Sequence, residues 1–309
     1  MEFGVFLPIS GRAAGRHTLI EAARQAEALG FDAVWAADRI IIPWEINTAY
    51  PYSEGDAFIV PPDRPFLEPL TCLAFLAGAT ETIRLGISVL VMPYRHPVYW
   101  AKIVTTIDTL SEGRFILGVG VGWMIEEFAA LGAPFEARGA MSNEQLDILN
   151  VLLDAEKPSF DGEFYQFDEI AFYPKSFQQP RLPVWIGGEA PVAQRRAGSY
   201  GDAWFPYFVR ITPDELAAGY ANVRRQAETA GRDPDSVRLN CCLPIVITDK
   251  PTPQEADRLL GTPEQLIEAL QAYKEIGVEH LSLQFMAPRY PARVEQVERF
   301  GKEIMPYLA

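Results

Sequence analysis

Cysteine and histidine are both scarce, with three of each in 309 residues. Cys72, Cys241 and Cys242 form an odd set without metal-ligand spacing, so neither a disulfide framework nor a zinc site is expected. His17, His96 and His280 lie far apart in the chain and offer no histidine cluster to a metal. Positive charge is short as well: 27 basic residues against 41 acidic ones set a net charge of -14. That balance opposes nucleic-acid binding and would repel an anionic membrane surface. No apolar run approaches the roughly 18 residues that a membrane-spanning helix needs. Met1 leads directly into EFGVFLP, without the basic segment and apolar stretch of a secretory leader. The expectation is a cytoplasmic enzyme without metal, acting on a small-molecule substrate.

What is abundant is core-forming: 49% of residues are hydrophobic and 22% charged. Eight strand candidates recur along the chain: Glu2–Leu7, Ala33–Ala37, Arg84–Val91, Phe115–Val121, Pro183–Gly187, Ala203–Pro206, Arg238–Val246 and Glu279–Phe285. Most are continuous apolar runs rather than alternating ones, as expected of parallel strands covered on both faces. Between them stand helix signals. Thr18-x-x-Glu21, Thr212-Pro213-Asp214-Glu215 and Thr262-Pro263-Glu264-Gln265 read as capping boxes, the last two with proline at the first helical position. Gly30 and Gly277 read as helix stops. In His96–Leu110 a helical stripe of Ala101, Val104, Ile107 and Leu110 is expected to face the strands. Eight unbroken β/α units predict a (β/α)8 TIM barrel, read as a single domain over residues 1–309. The usual barrel of about 250 residues leaves roughly 60 for insertions. These are placed after strands two and four, at Ile40–Phe66 and Ala155–Leu182, the second with alternation that suggests a small β excursion.

Within Arg114–Trp123, RFILGVGVGW, glycines at 118, 120 and 122 interrupt a buried strand. Glycine there marks a close approach of backbone to something else. A dinucleotide fingerprint is a poor reading, because Trp123 stands at the final glycine spacing and no acidic residue ends a following strand about 20 residues on. Two readings stay open: tight helix packing on the barrel, or a flat ring laid against the strand end. Other strand ends add chemistry. Asp38-Arg39 closes the second, Ser88 to Pro93 the third, and Gly187-Gly188-Glu189 the fifth, where glycine-rich backbone opens a helix and suits an anion. In a barrel such ends converge on one pocket.

GVFLP, LGFDAVWAADR, SVLVMPYRHPVYWAK, LSEGRFILGVGVGW and PVWIGG, in that order, resemble the bacterial luciferase-like superfamily and most of all its coenzyme F420-dependent oxidoreductases. The resemblance covers essentially the whole chain. It implies a (β/α)8 barrel, commonly a homodimer, binding F420 or FMN at the C-terminal mouth. It implies cofactor contacts from Asp38, from Ser88-Val89 (where relatives hold a non-proline cis peptide behind the ring), from Val121 and Gly122, and from the phosphate loop Gly187, Gly188 and Glu189. In the sugar-phosphate dehydrogenase branch the places of Arg39 and Trp123 hold a histidine base and a glutamate acid. Arginine stays protonated, so it binds or polarises rather than abstracts. The resemblance therefore implies an F420-dependent oxidoreductase working reductively, with Arg39, Trp123 and His96 as the candidate catalytic residues. The alternatives are an FMN-dependent monooxygenase and a flavin-binding barrel without catalysis.

Further residues carry two readings each. His96 could serve a phosphate or cap a helix, and Arg195-Arg196 could meet an acidic cofactor tail or line a solvated face. Trp44, Tyr50, Tyr52 and Phe58 suit a lid or loop anchors. Glu126-Glu127 reads as the acidic first turn of a helix. Cys241-Cys242 reads as a buried strand pair.

Overall fold

A computed structural model describes residues 1–52, 58, 60–207, 212–253, 259–287 and 289–308. The chain opens with β1 (Glu2–Phe6), α1 (Arg16–Ala28), β2 (Ala33–Ala36), α2 (Pro69–Ala77), β3 (Arg84–Val91) and α3 (Pro97–Leu110). It continues through β4 (Phe115–Gly120), α4 (Ile125–Leu131), α5 (Arg138–Asp154), the short β5 (Phe160–Asp161) and β6 (Gln166–Phe167), and β7 (Val184–Ile186). Then follow α6 (Pro191–Tyr200), β8 (Ala203–Trp204), α7 (Pro213–Thr229), β9 (Arg238–Ile247), β10 (Leu259–Gly261), α8 (Pro263–Glu275), β11 (Val278–Phe285) and α9 (Tyr290–Arg299).

Eight of these strands close a barrel. The order β9-β11-β1-β2-β3-β4-β7-β8 is joined at its ends by a β8–β9 pairing, and every neighbour is parallel. Each of the eight coincides with a run expected from the sequence. β10, three residues long, adds to the edge of β9 and was not legible in so short a run. No helix of the described residues is long and apolar enough to cross a membrane.

The capping boxes at Thr212–Glu215 and Thr262–Gln265 form as expected. The one at Thr18 does not: α1 begins at Arg16 with Gly15 as its cap, and the Thr18 hydroxyl donates to the Ala13 carbonyl. Gly30 and Gly277 stop their helices at φ 82° and 89°, the left-handed region that glycine enters freely. On α3, Ala101, Val104 and Ile107 are buried against the barrel, but Leu110 is 60% exposed, so the stripe ends one turn early. The segment Ala155–Leu182 carries the expected excursion, an antiparallel β5–β6 pair. It follows α4 and α5, on the return to β7, rather than leaving β4 directly. Glu144 on α5 clasps its tip, accepting from the amides of Glu163, Phe164 and Tyr165.

The barrel interior is filled by rings from several strands, with Trp35 at their centre. Trp35 on β2 packs with Trp185 and Phe205 at centroid distances of 5.1 and 4.8 Å. Its neighbours on β1 and β3 are Gly4 and Gly86, where a Cβ would overlap the indole. Trp35 Nε1 donates to His280 Nε2 at 3.2 Å, which leaves the imidazole proton on Nδ1, 3.3 Å from Glu2. Burial keeps His280 neutral, and its hydrogen bond holds the Glu2 carboxyl down at about 2. These groups lie near the starts of β1 and β11 and close the N-terminal end of the barrel.

Candidate active site

The opposite end gathers the ends of β2, β3, β4, β7 and β8. On β3 the Ser88–Val89 peptide is cis, and the register with β4 shifts between Ile87 and Leu90, a bulge. Val89 packs onto the interior cluster of Trp35, Ile116, Trp185 and Phe205. A Cβ on Gly118 would overlap the Ile87 carbonyl, and one on Gly120 would come within 2.5 Å of Val89 Cγ2. On the far side, a Cβ on Gly187 would meet Val89 Cγ1 at 3.0 Å. The glycines of RFILGVGVGW are thus bare for the β3 bulge. At Gly118 and Gly120 the approaching group is thus a neighbouring strand rather than the packed helix that the sequence also suggested. Gly122 differs: its φ of 78° turns the chain, and Val91 and Phe128 fill the space beside it.

Asp38 and Arg39 leave β2 toward different partners. Asp38 accepts two bonds from Arg95 at 2.7 and 2.8 Å and one from the Val91 amide at 2.8 Å. Both carboxylate oxygens are engaged and buried, so Asp38 fixes the end of β3. Arg39, 7% exposed, pairs with Glu127 on α4. Glu127 also accepts from the Ile40 amide at 2.7 Å, the Ile41 amide at 3.2 Å and the Tyr94 hydroxyl at 2.8 Å. The next acid, Glu126, accepts from the Asn47 and Thr48 amides and the Thr48 hydroxyl. Read from the sequence as a dipole-matched helix start, these two residues are the clasp of the first insertion. Apart from Tyr94, their partners lie 78 to 88 residues upstream, beyond the reach of local pattern.

Above Arg39 the insertion supplies aromatic rings. The guanidinium carbon lies 5.2 Å from the Trp123 ring centre and 5.0 Å from that of Phe58. Tyr50 packs on Trp123 at 5.0 Å, and Tyr52 meets Tyr207, just beyond β8, at 5.3 Å. Trp44, grouped with them by composition, is 80% exposed. Residues 53–57 and 59 of the expected lid fall outside the described residues. Burial raises the phenols of Tyr50, Tyr52 and Tyr207, which are therefore neutral hydroxyls at ordinary pH.

The loop after β7 completes the mouth. Gly188 has φ 99°, and its carbonyl accepts from Trp204 Nε1 at 2.8 Å. Among the described residues the amides of Gly188 and Ala190, just before α6, have no protein acceptor. Glu189 turns toward β8 and accepts from the Tyr207 amide at 3.0 Å. Burial pushes its carboxyl up to about 6. Ser88 Oγ lies 3.3 Å from Cys242 Sγ, whose thiol burial pushes up to about 12. Cys241, Cys242 and Cys72 are free and buried, as the strand reading expected of the pair.

Two candidates are not brought to this cluster. His96 is exposed at the start of α3, with its ring edge-on to Tyr165 at 5.3 Å, away from Arg39 and Trp123. Arg196 is buried on α6 and donates to Asn143 and the Gly139 carbonyl of α5, a packing role, while Arg195 is exposed. Among the described residues no group of His, Cys, Asp and Glu is arranged to hold a metal.

Comparison with known proteins follows this geometry. An uncharacterized protein of Mycobacterium tuberculosis is 35% identical over 290 residues, covering 89% of this chain and 96% of that protein. The F420-dependent hydroxymycolic acid dehydrogenase of Mycobacterium tuberculosis is 30% identical over 234 residues, 75% of this chain and 59% of that protein. A solved F420-dependent secondary alcohol dehydrogenase, in complex with an F420-acetone adduct, shares the fold with a TM-score of 0.80 at 20% identity, covering 100% of this chain and 99% of its own. Residues 1–260 match the luciferase-like monooxygenases, and the chain belongs to that family.

Proposed function

We propose that this chain is a coenzyme F420-dependent oxidoreductase that reduces an activated double bond of a small organic substrate. The observation that carries the reading is the β3 bulge, with Val89 seated between β4 and β7 directly beside a loop whose Gly188 and Ala190 amides have no acceptor among the described residues. A flat ring with a phosphate-bearing tail fits that arrangement. Ser88, Val89, Val121 and Gly122 would lie beside the ring. In the loop Gly187, Gly188 and Glu189 the Gly187 amide is held by the Val119 carbonyl, so the amides of Gly188 and Ala190, at the start of α6, would take the phosphate; Gly188, in the left-handed region, leaves backbone to approach it closely. The relative named as an F420-dependent dehydrogenase supports the deazaflavin over other flat rings. When bound, F420 supplies two-electron hydride chemistry.

The chain's own contribution is placement and charge. Arg39 is held by Glu127 and flanked by Phe58 and Trp123, so its guanidinium is fixed before substrate arrives. It would polarise a carbonyl or bind a carboxylate next to the accepting carbon. Trp123 would wall the site and hold the substrate close to the ring. The family's monooxygenases favour a second reading, in which reduced FMN and oxygen are used. Titration of cofactor-free protein separates the two. F420 is expected to bind at least about tenfold more tightly than FMN, a difference of about 1.4 kcal/mol. Tight FMN binding without F420 binding would sink the proposal, and turnover of any acceptor by reduced F420 would exclude a non-catalytic barrel.

The partner is a second copy of the chain. Phe75 on α2 and Tyr99 and Leu110 on α3 are 41%, 65% and 60% exposed, and Tyr173 and Phe177 lie exposed in the segment bound to α3 through Lys102. Light scattering is expected to give twice the chain mass of 34.5 kDa, and a Tyr99→Glu, Leu110→Glu double variant half of it. A wild type that runs as a monomer at micromolar concentration would overturn this.

A further inference from the structure

A reduction that adds hydride to one atom needs a proton for its neighbour, and the acids of this mouth can be sorted by what already occupies them. Asp38 has both oxygens on Arg95 and the Val91 amide. Glu127 serves Arg39, Tyr94 and two amides. Glu126 is spent on Asn47 and Thr48. His96 stands off against Tyr165, and His280 is locked at the far end of the barrel between Trp35 and Glu2. Glu189 is the least engaged of these carboxyls: among the described residues it has no cationic partner and accepts from no side-chain donor. Its contacts are its own amide and that of Tyr207, and the groups that face it are the phenol of Tyr52 from the insertion, Tyr207 after β8 and the thiol of Cys242 on β9. All three are neutral, held so by burial. Cys242 in turn touches Ser88 of the bulge, so the carboxyl sits on the side of the mouth where the ring is proposed to rest.

We infer that Glu189 is the proton donor of the reduction, giving its carboxyl proton to the substrate atom next to the one that receives the hydride. This rests on the F420 reading above. The substrate gains a hydride, carrying both electrons from the reduced deazaflavin, and a proton from Glu189. One C–H bond and one C–H, N–H or O–H bond form as the double bond is reduced, and the carboxylate left behind takes its proton back from solvent. A carboxyl raised to about 6 is a competent donor near neutral pH, where an ordinary one would already be ionised.

Glu189→Gln tests this, since a carboxamide keeps an acceptor for the Tyr207 amide. With saturating reduced F420 and an enone or imine probe, kcat is expected to fall by about 10²-fold or more with KM for the acceptor unchanged. Wild-type kcat should decline as pH rises through about 6, and the residual rate of the variant should not. A second readout needs no cofactor. Because the folded pKa lies above the ordinary 4.5, the wild type loses stability as pH rises between 4.5 and about 6, and the variant lacks that loss and is the more stable protein at neutral pH. If F420 binds but the variant keeps the wild-type kcat and pH profile, the donor role is overturned while the cofactor reading stands. If the wild type does not bind F420, both fall together.

Discussion

Glu127→Ala should destabilise the protein by about 3–5 kcal/mol, the range found when one member of a buried ion pair is removed. The reason is the number of donors that converge on this carboxylate. Arg39, two consecutive amides and the Tyr94 hydroxyl all point to it, and its side chain is wholly buried. Without it, a guanidinium whose Nε already lacks a partner stays buried among rings. Water can reach it only by lifting the insertion, so the stability loss and the loss of substrate-site geometry come from the same event. Glu127→Gln keeps the shape but turns one acceptor into a donor facing other donors, and should fall between wild type and alanine. Urea unfolding followed by tryptophan fluorescence measures both. A loss below about 1 kcal/mol for the alanine variant would mean that the pair is solvent-relaxed and worth no more than a surface bridge.

Gly118→Ala should be comparably severe for a purely steric reason. Its methyl group would overlap the Ile87 carbonyl, which is backbone of a neighbouring barrel strand and cannot rotate away. The Ile87–Leu117 pairing lies at the same level, so relief requires opening the β3–β4 ladder. A cost of about 3 kcal/mol or more is expected, the upper end for overpacked cores. Gly120→Ala meets only the Val89 methyl groups, which can shift. It should cost less stability but move the bulge, lowering F420 affinity about tenfold or more, equivalent to 1.4 kcal/mol. Gly78→Ala is the control: its Cβ would meet nothing nearer than 3.9 Å, and a gain of about 0.4–1 kcal/mol is expected. Thermal melts of the three variants check the order, and a Gly118→Ala protein as stable as wild type would refute the steric account.

Barrel strands were legible because burial on both faces writes them as unbroken apolar runs, and Ile116, Val34 and Leu281 need no partner identity to be recognised as core. Helix caps were legible where the signal is local, as at Thr212 and Thr262. Thr18 failed because the start of α1 is set by Gly15 rather than by the threonine. The site was legible as a set of strand ends but not as a set of pairings. Nothing near Arg95 announces Asp38, and nothing near Glu127 announces Arg39, since these partners stand 57 and 88 residues apart and meet only once the barrel is closed. The β4 glycines illustrate the same limit. Their spacing signals a close approach, yet the approaching group belongs to a different strand.

The two acids that open α4 have a consequence for how this barrel can diversify. Glu127 fastens the insertion at Ile40-Ile41 and Glu126 fastens it again at Asn47-Thr48. The counter-ion of Arg39 lies on the barrel side of the second fastening, and only the Phe58 ring reaches it from beyond. The stretch beyond Thr48 can therefore change its length and rings, remaking the wall at Trp123, without touching the bond between the arginine and its counter-ion.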